Sequence, residues 1–265
     1  MRWALAGLSL SMLLSSLGTS IANVALPTLA EAFEAPFQTV QWVVLAYLLA
    51  ITSSIVSVGR LGDLIGRRRL LRVGILVFTG ASVVSAAAPA LWLVIAARAV
   101  QGLGAAAMMA LTMAFVNDLV PRARLGSAMG LLGTTSAVGT ALGPSLGGLL
   151  IDWFGWQAIF LINLPLGVVA AALAHGHLPA DRRAPGARRV ELDHRGTLLL
   201  ALTLAAYALA MTLGRGQFGP QNLAWAAVAA VGAVSYVVVE TRASAPLIRP
   251  PPICVLSMSA SRAAL

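Results

Sequence analysis

Few side chains in this sequence are placed to do chemistry, and the first is Arg98, the one charge set well inside an apolar run, followed by Gln101, Gly102 and Gly104. At the centre of a bilayer an arginine costs on the order of 3 kcal/mol on insertion scales, so it faces a cavity, bonds to buried acceptors or snorkels to the interface. Snorkelling is geometrically open, because Arg98 lies about seven residues, roughly 10 Å of helix, from the end of its run. A second cluster is GRLGDLIGRRRLL at 59–71, where Arg60, Arg67, Arg68, Arg69 and Arg72 surround Asp63. Gly59, Gly62 and Gly66 allow close backbone approach and a compact turn between two apolar runs. Such a cluster fixes orientation and offers ion pairing; it offers nothing catalytic. His175 and His177 lie two apart with no third ligand at suitable spacing, so no metal site is expected. There is no G-x-x-x-x-G-K-[ST], so ATP is not the driver and no cofactor is expected. Cys254 is the only cysteine, which rules out an internal disulfide.

The elements that must position these residues are membrane spans. Of 265 residues, 59% are hydrophobic and only 10% charged, with a mean hydropathy of +0.88, which describes an all-α polytopic membrane protein. The net charge of +9 comes from 18 basic residues, all Arg. They fall mostly in short gaps between apolar runs, so a nucleic-acid partner is not expected. Apolar runs place spans at about 3–26, 41–58, 70–88, 91–116, 126–151, 158–173, 197–213 and 223–239. The segment 28–41 carries Glu31 and Glu34 but no Arg and reads as an external loop; only Arg215 falls in another external gap. The remaining loop arginines therefore put both termini in the cytoplasm. In the span at 126–151, Gly139, Gly143 and Gly147 form a side-chain-free stripe for helix packing, and Pro144 breaks the hydrogen-bond ladder to give a kinked, tightly packed helix.

Four stretches resemble one family. G-x-L-x-D-x-x-G-R-R, from Gly59 through Asp63 and Gly66 to Arg67 and Arg68, resembles the loop signature between helices 2 and 3 of the major facilitator superfamily, with Leu64 where the family usually has a basic residue. LGTSIANVALP at 17–27 is similar to the helix 1 motif of the fourteen-helix drug:proton antiporter branch. Asn23 and Pro27 match, while Ser20 replaces a threonine and Gly18 an aspartate. RAVQGLG at 98–104 resembles the helix 4 motif. G-x-x-x-G-P-x-x-G-G, which includes Gly139, Gly143, Pro144, Gly147 and Gly148, resembles the antiporter motif of the superfamily's exporters. GLLIDWFG at 148–155 also repeats the Gly-Asp-Gly spacing of 59–66, as inverted topology implies.

The resemblance implies a six-helix N-terminal bundle, built as a 3+3 inverted repeat, over residues 1–174. A cytoplasmic linker at 175–195, two further transmembrane helices at 196–240 and a cytoplasmic tail at 241–265 follow. It implies that Arg98 and Gln101 lie in the central cavity and serve proton coupling. It also implies that Asp118 meets Arg67 or Arg68 in a cytoplasmic gating latch. The implied function is proton-coupled efflux of small amphipathic compounds across the plasma (inner) membrane by alternating access. Its partners are a small-molecule substrate, protons and the lipid bilayer. No second bundle follows residue 248, so the tail is expected to be truncated or aberrant, and transport is expected to need a C-terminal half or a second copy. The other reading is a non-transporting membrane fragment that assembles with or regulates another membrane protein.

Overall fold

A computed structural model describes residues 2–179, 181, 194–212 and 219–242, and every regular element among them is helical. Hydrocarbon offers the backbone no partner, so each apolar run closes its own hydrogen bonds as a helix. In order these are α1 Arg2–Val24, α2 Leu26–Ala32, α3 Phe37–Val40, α4 Trp42–Ile65, α5 Arg67–Ala86 and α6 Leu91–Leu119. Then come α7 Arg122–Phe154, α8 Ala158–Leu161, α9 Asn163–His177, α10 His194–Thr212 and α11 Pro220–Arg242. Among the described residues, five stretches are long and apolar enough to cross a membrane: α1, α3 with α4, α5, α6, and α8 with α9. At 33 residues α7 is long enough, but Gly, Ser and Thr dilute its apolarity. The apolar part of α10, Gly196–Thr212, is shorter.

Three expected loops turn out to be mostly helix. The segment 28–41 contains the rest of α2 and all of α3, anchored by Leu29 and Val40, both fully buried. The charged turn shrinks to Gly66 alone, at φ +103, which puts Gly59 and Gly62 inside α4 and Arg67, Arg68 and Arg69 inside α5. Arginine is a good helix former, so charge ends the hydrocarbon span without ending the helix. Only a residue free of a Cβ stops it. The turn expected over 117–130 is reduced to Val120 and Pro121, where a residue without a backbone N–H separates α6 from α7.

Packing follows the inverted repeat. Helix α6 lies against α4 and α5, while α1 lies against α7 and α9, so the first helix of each triplet sits in the other triplet. Gly155 ends α7 at φ +81 just as Gly66 ends α4, at the two positions where the Gly-Asp-Gly spacing repeats. Glycines permit these approaches. A Cβ on Gly102 would lie 2.5 Å from the Tyr47 carbonyl oxygen, and one on Gly104 would lie 2.7 Å from that of Gly74. Buried apolar side chains form two layers. One, nearer the Gly66 turn, includes Leu8, Leu71, Ile75, Met108 and Leu111. The other, toward the opposite end, includes Ile21, Leu29, Val43, Val94 and Phe160. Helices α10 and α11 pair with each other, and α10 reaches α4 through a 2.5 Å hydrogen bond between the Ser57 and Thr197 hydroxyls. Residues 182–193, 213–218 and 243–265 lie outside the described residues, and with them most of the expected linker and the tail.

Candidate functional site

The polar centre of the bundle is built on Arg98, which is 1% exposed. Its Nε donates to the Val43 carbonyl of α4 at 3.0 Å, Nη2 to the Gly18 carbonyl of α1 at 2.9 Å, and Nη1 to Gln101 Oε1 at 2.7 Å. The guanidinium also lies 3.9 Å from the centroid of the Tyr47 ring, a cation–π contact in a dry setting. Helix carbonyls already accept one bond from the following turn, but their second lone pair is free for such a donor. No carboxylate pairs with Arg98 among the described residues, so the charge is held by dipoles and a π-face. At 1% exposure the guanidinium is sealed inside the bundle, which excludes snorkelling. The fork geometry of the guanidinium reaches acceptors on two neighbouring helices at once, and that seals it into the bundle.

Gln101 extends the group. Its Nε2 donates to Ser82 Oγ of α5 at 2.6 Å, and Asn163 Nδ2 of α9 approaches the same oxygen at 3.4 Å. Ser82, Gln101 and Asn163 are all buried, and Asn163 Oδ1 has no partner among the described residues. Tyr47 donates its hydroxyl to the Ser15 carbonyl at 2.8 Å. One polar knot thus ties α1, α4, α5, α6 and α9 in the half of the bundle away from the Gly66 turn. Sequence reasoning found Arg98 and Gln101 but missed Tyr47, Ser82 and Asn163, because a tyrosine, serine or asparagine in an apolar run carries no spacing signal. It also treated Gly18 as a missing acid. In the structure Gly18 contributes its carbonyl, and its bare Cα admits Tyr47 and Phe78, which would lie 3.3 and 3.2 Å from a Cβ there.

The charged end is a separate group. Arg67 bridges Asp63 at 2.8 Å and Asp118 at 2.5 Å, tying α4, α5 and α6, which is the Arg67 alternative of the expected pairing. Arg68 turns elsewhere: its side chain donates to the His175 carbonyl, and Arg72 Nη1 meets His175 Nδ1 at 2.9 Å. Asp181 folds back onto the start of α5, accepting from the Arg68 and Arg69 backbone N–H groups at 2.8 and 3.1 Å. A carboxylate there satisfies orphan donors and complements the helix dipole. Gly66 makes room for it, since a Cβ would lie 2.5 Å from Asp181 Cγ. Asp181 falls in the expected linker at 175–195, and nothing local in the sequence marks a contact spanning more than a hundred residues. His177 lies 6.0 Å from Trp3, ring to ring, while His175 joins the arginines.

The helix that the glycine stripe meets is α1. A Cβ on Gly139 would lie 2.9 Å from the Leu13 carbonyl oxygen, on Gly143 2.5 Å from Ser20 Cβ, and on Gly147 3.0 Å from Ile21 Cγ1. Gly148 has nothing within 4 Å and is off the stripe. Pro144 cannot donate to the Thr140 carbonyl, and α7 nonetheless runs on through it. Ser20 Oγ of α1 donates to that carbonyl at 2.7 Å in place of the missing N–H. Asn23 and Pro27 stand apart from both groups: Asn23 is exposed and bonds back to the Thr19 carbonyl at 3.1 Å, and Pro27 opens α2.

The Major Facilitator Superfamily profile matches residues 8–248. The chain is 36% identical over 244 residues to the multidrug resistance protein Stp of Mycobacterium tuberculosis, covering 91% of this chain and 44% of Stp. It is 34% identical over 202 residues to the riboflavin transporter RibZ of Clostridioides difficile, covering 76% and 44%. The chain therefore spans less than half the length of these relatives. Among solved structures, a bacterial homologue of the human lysosomal transporter Spinster, inward-facing and occupied, matches with a TM-score of 0.62. It is 17% identical and covers 94% of this chain and 63% of that one. The proton:xylose symporter XylE matches at 0.60 and 14% identity, covering 91% and 54%. At such identities these two speak for the fold alone. The motifs, the swapped packing of the triplets and the matches along nearly the whole chain lead to one assignment: this is a multi-pass membrane protein of the Major Facilitator Superfamily.

Proposed function

We propose that this chain supplies one side of a proton-coupled exporter of small amphipathic compounds, working by alternating access. Residues 1–174 act as the N-terminal bundle, 175–195 as a cytoplasmic linker and 196–240 as an added helix pair, with both termini in the cytoplasm. The observation that carries the reading is the buried Arg98, a fixed positive charge sealed inside the bundle with no carboxylate partner among the described residues. Charged side chains inside membrane-spanning helices are rare and mark transport pathways by default. It lends positive potential to the bundle centre, where entry of a proton or a cationic compound is made mutually exclusive. The glycine stripe and Pro144 support export, since they give α7 a close, dry seat on α1 that a rocking bundle can carry as one body. Arg67, bridging Asp63 and Asp118 at the charged end, is positioned to brace one state against the other. The name of Stp supports a drug-like substrate and that of RibZ a flavin-like one; an amphipathic compound fits both.

The test is ethidium movement in everted membrane vesicles from cells producing this chain together with a C-terminal bundle. Uptake driven by an imposed proton gradient and collapsed by an uncoupler is the expected result. Uptake that persists without the gradient would overturn proton coupling.

A further inference from the structure

A crevice of about 350 Å³ opens between α4 and α5 in the half of the bundle nearer the Gly66 turn, floored by α6 and touched on one side by Thr197 of α10. It lies away from the Arg98 knot. Its walls are almost wholly apolar: Val58 and Leu61 on α4, Val73 and Val77 on α5, Leu103 on α6. Val73 and Leu103 are each 46% exposed, so the crevice opens outward from the bundle, onto the acyl chains of the surrounding bilayer. A close-packed bundle does not leave a gap of this size empty, and a lipid acyl chain matches its apolar walls. Arg69 sits one turn before Val73 and two before Val77 on the same stripe of α5. It is exposed, and its guanidinium has no hydrogen-bond or ion-pair partner among the described residues, whereas Arg67, Arg68 and Arg72 all do. The apolar stripe thus ends in a free cation at the depth of the headgroups.

We propose that this crevice binds one acyl chain of an anionic phospholipid, with Arg69 holding the phosphate. Apolar contact alone selects nothing in a bilayer, since tails are equally apolar everywhere. The shape of the crevice retains the chain, and the single arginine sets the headgroup preference, about fivefold for one cation near the surface. Because α10 borders the crevice, the lipid also acts as a wedge between the six-helix bundle and the added pair.

The test is native mass spectrometry of the whole 265-residue chain released from detergent in equimolar phosphatidylglycerol and phosphatidylethanolamine. The wild-type chain is expected to retain one phosphatidylglycerol about fivefold over phosphatidylethanolamine. Val77→Trp fills the crevice and should remove the retained lipid of either kind, and Leu103→Trp tests the opposite wall should the first variant fail to insert. Arg69→Gln should keep the lipid but bring the ratio to about one, while Val84→Trp, two turns further along α5, should behave as wild type. Equal retention of the two lipids by the wild-type chain, or undiminished retention when either wall is filled, would overturn the proposal.

Discussion

Removing Ser20 Oγ should destabilise the bundle only as long as residue 144 is proline. Pro144 leaves the Thr140 carbonyl without its helical donor, and Ser20 Oγ supplies the bond from α1 at 2.7 Å. Ser20→Ala orphans that carbonyl. An acceptor left unmade costs about 1–3 kcal/mol where it is fully buried, this one is part-buried, and hydrogen bonds measured by cycles inside membrane bundles average about 0.6 with a ceiling near 1.7 kcal/mol. The expected loss is thus about 1–2 kcal/mol. In a Pro144→Ala background the new N–H takes the same carbonyl, so Ser20→Ala should then cost less than about 0.5 kcal/mol. The double-mutant cycle therefore predicts a coupling of about 1 kcal/mol between two residues on different helices. The assay is unfolding of the purified chain in mixed micelles, titrated with sodium dodecyl sulfate and followed by tryptophan fluorescence. Additive effects of the two substitutions would refute the replacement-donor argument. Ser20→Thr, which keeps the hydroxyl, should retain most of the coupling.

Within the glycine motif the positions should separate: Gly143→Ala drives a methyl to 2.5 Å from Ser20 Cβ and should cost about 1–3 kcal/mol, while Gly148→Ala, with nothing within 4 Å, should leave the unfolding midpoint unchanged. Gly66→Ala should lower the midpoint by about 1–2 kcal/mol, combining φ +103 with displacement of Asp181 from the start of α5, and protease sensitivity of the 175–181 segment should rise with it. At the knot, Gln101→Leu strands an Arg98 donor and should cost about 2 kcal/mol. Asn163→Leu removes only a 3.4 Å bond and an unpartnered oxygen and should be near neutral in the same titration. Arg67→Ala breaks two exposed ion pairs and should change stability by less than about 1 kcal/mol, whatever it does to transport.

Much of this architecture is written in composition and glycine. The hydrocarbon-length runs foretell the helices, and Gly139, Gly143 and Gly147 foretell a close helix contact, because these signals are local and their physics admits few alternatives. The ends of helices were less legible. Charge marks where hydrocarbon stops, but α4 runs on past Val58 and α5 starts before Leu70, and the break comes only at Gly66, at φ +103. Partners across helices were hardest to see. Nothing near Arg98 announces that its acceptors are the Gly18 and Val43 carbonyls, 80 and 55 residues away. Backbone acceptors are present at every position, so sequence does not distinguish them. The same applies to Ser20, whose hydroxyl acquires its purpose only from a proline on another helix.

Arg98 carries the central claim, and the measurement that bears on it most directly separates exchange from coupling. Membranes containing this chain together with a C-terminal bundle are solubilised, the transporter is reconstituted in liposomes, and two rates are read on one preparation: ethidium counterflow without a gradient, and ethidium accumulation driven by a proton gradient. For Arg98→Lys, whose single ammonium cannot span the Gly18, Val43 and Gln101 acceptors together, counterflow should persist while gradient-driven accumulation falls at least tenfold. Accumulation at the wild-type rate in Arg98→Lys and Arg98→Ala alike would show that the buried guanidinium is structural, and that coupling lies elsewhere.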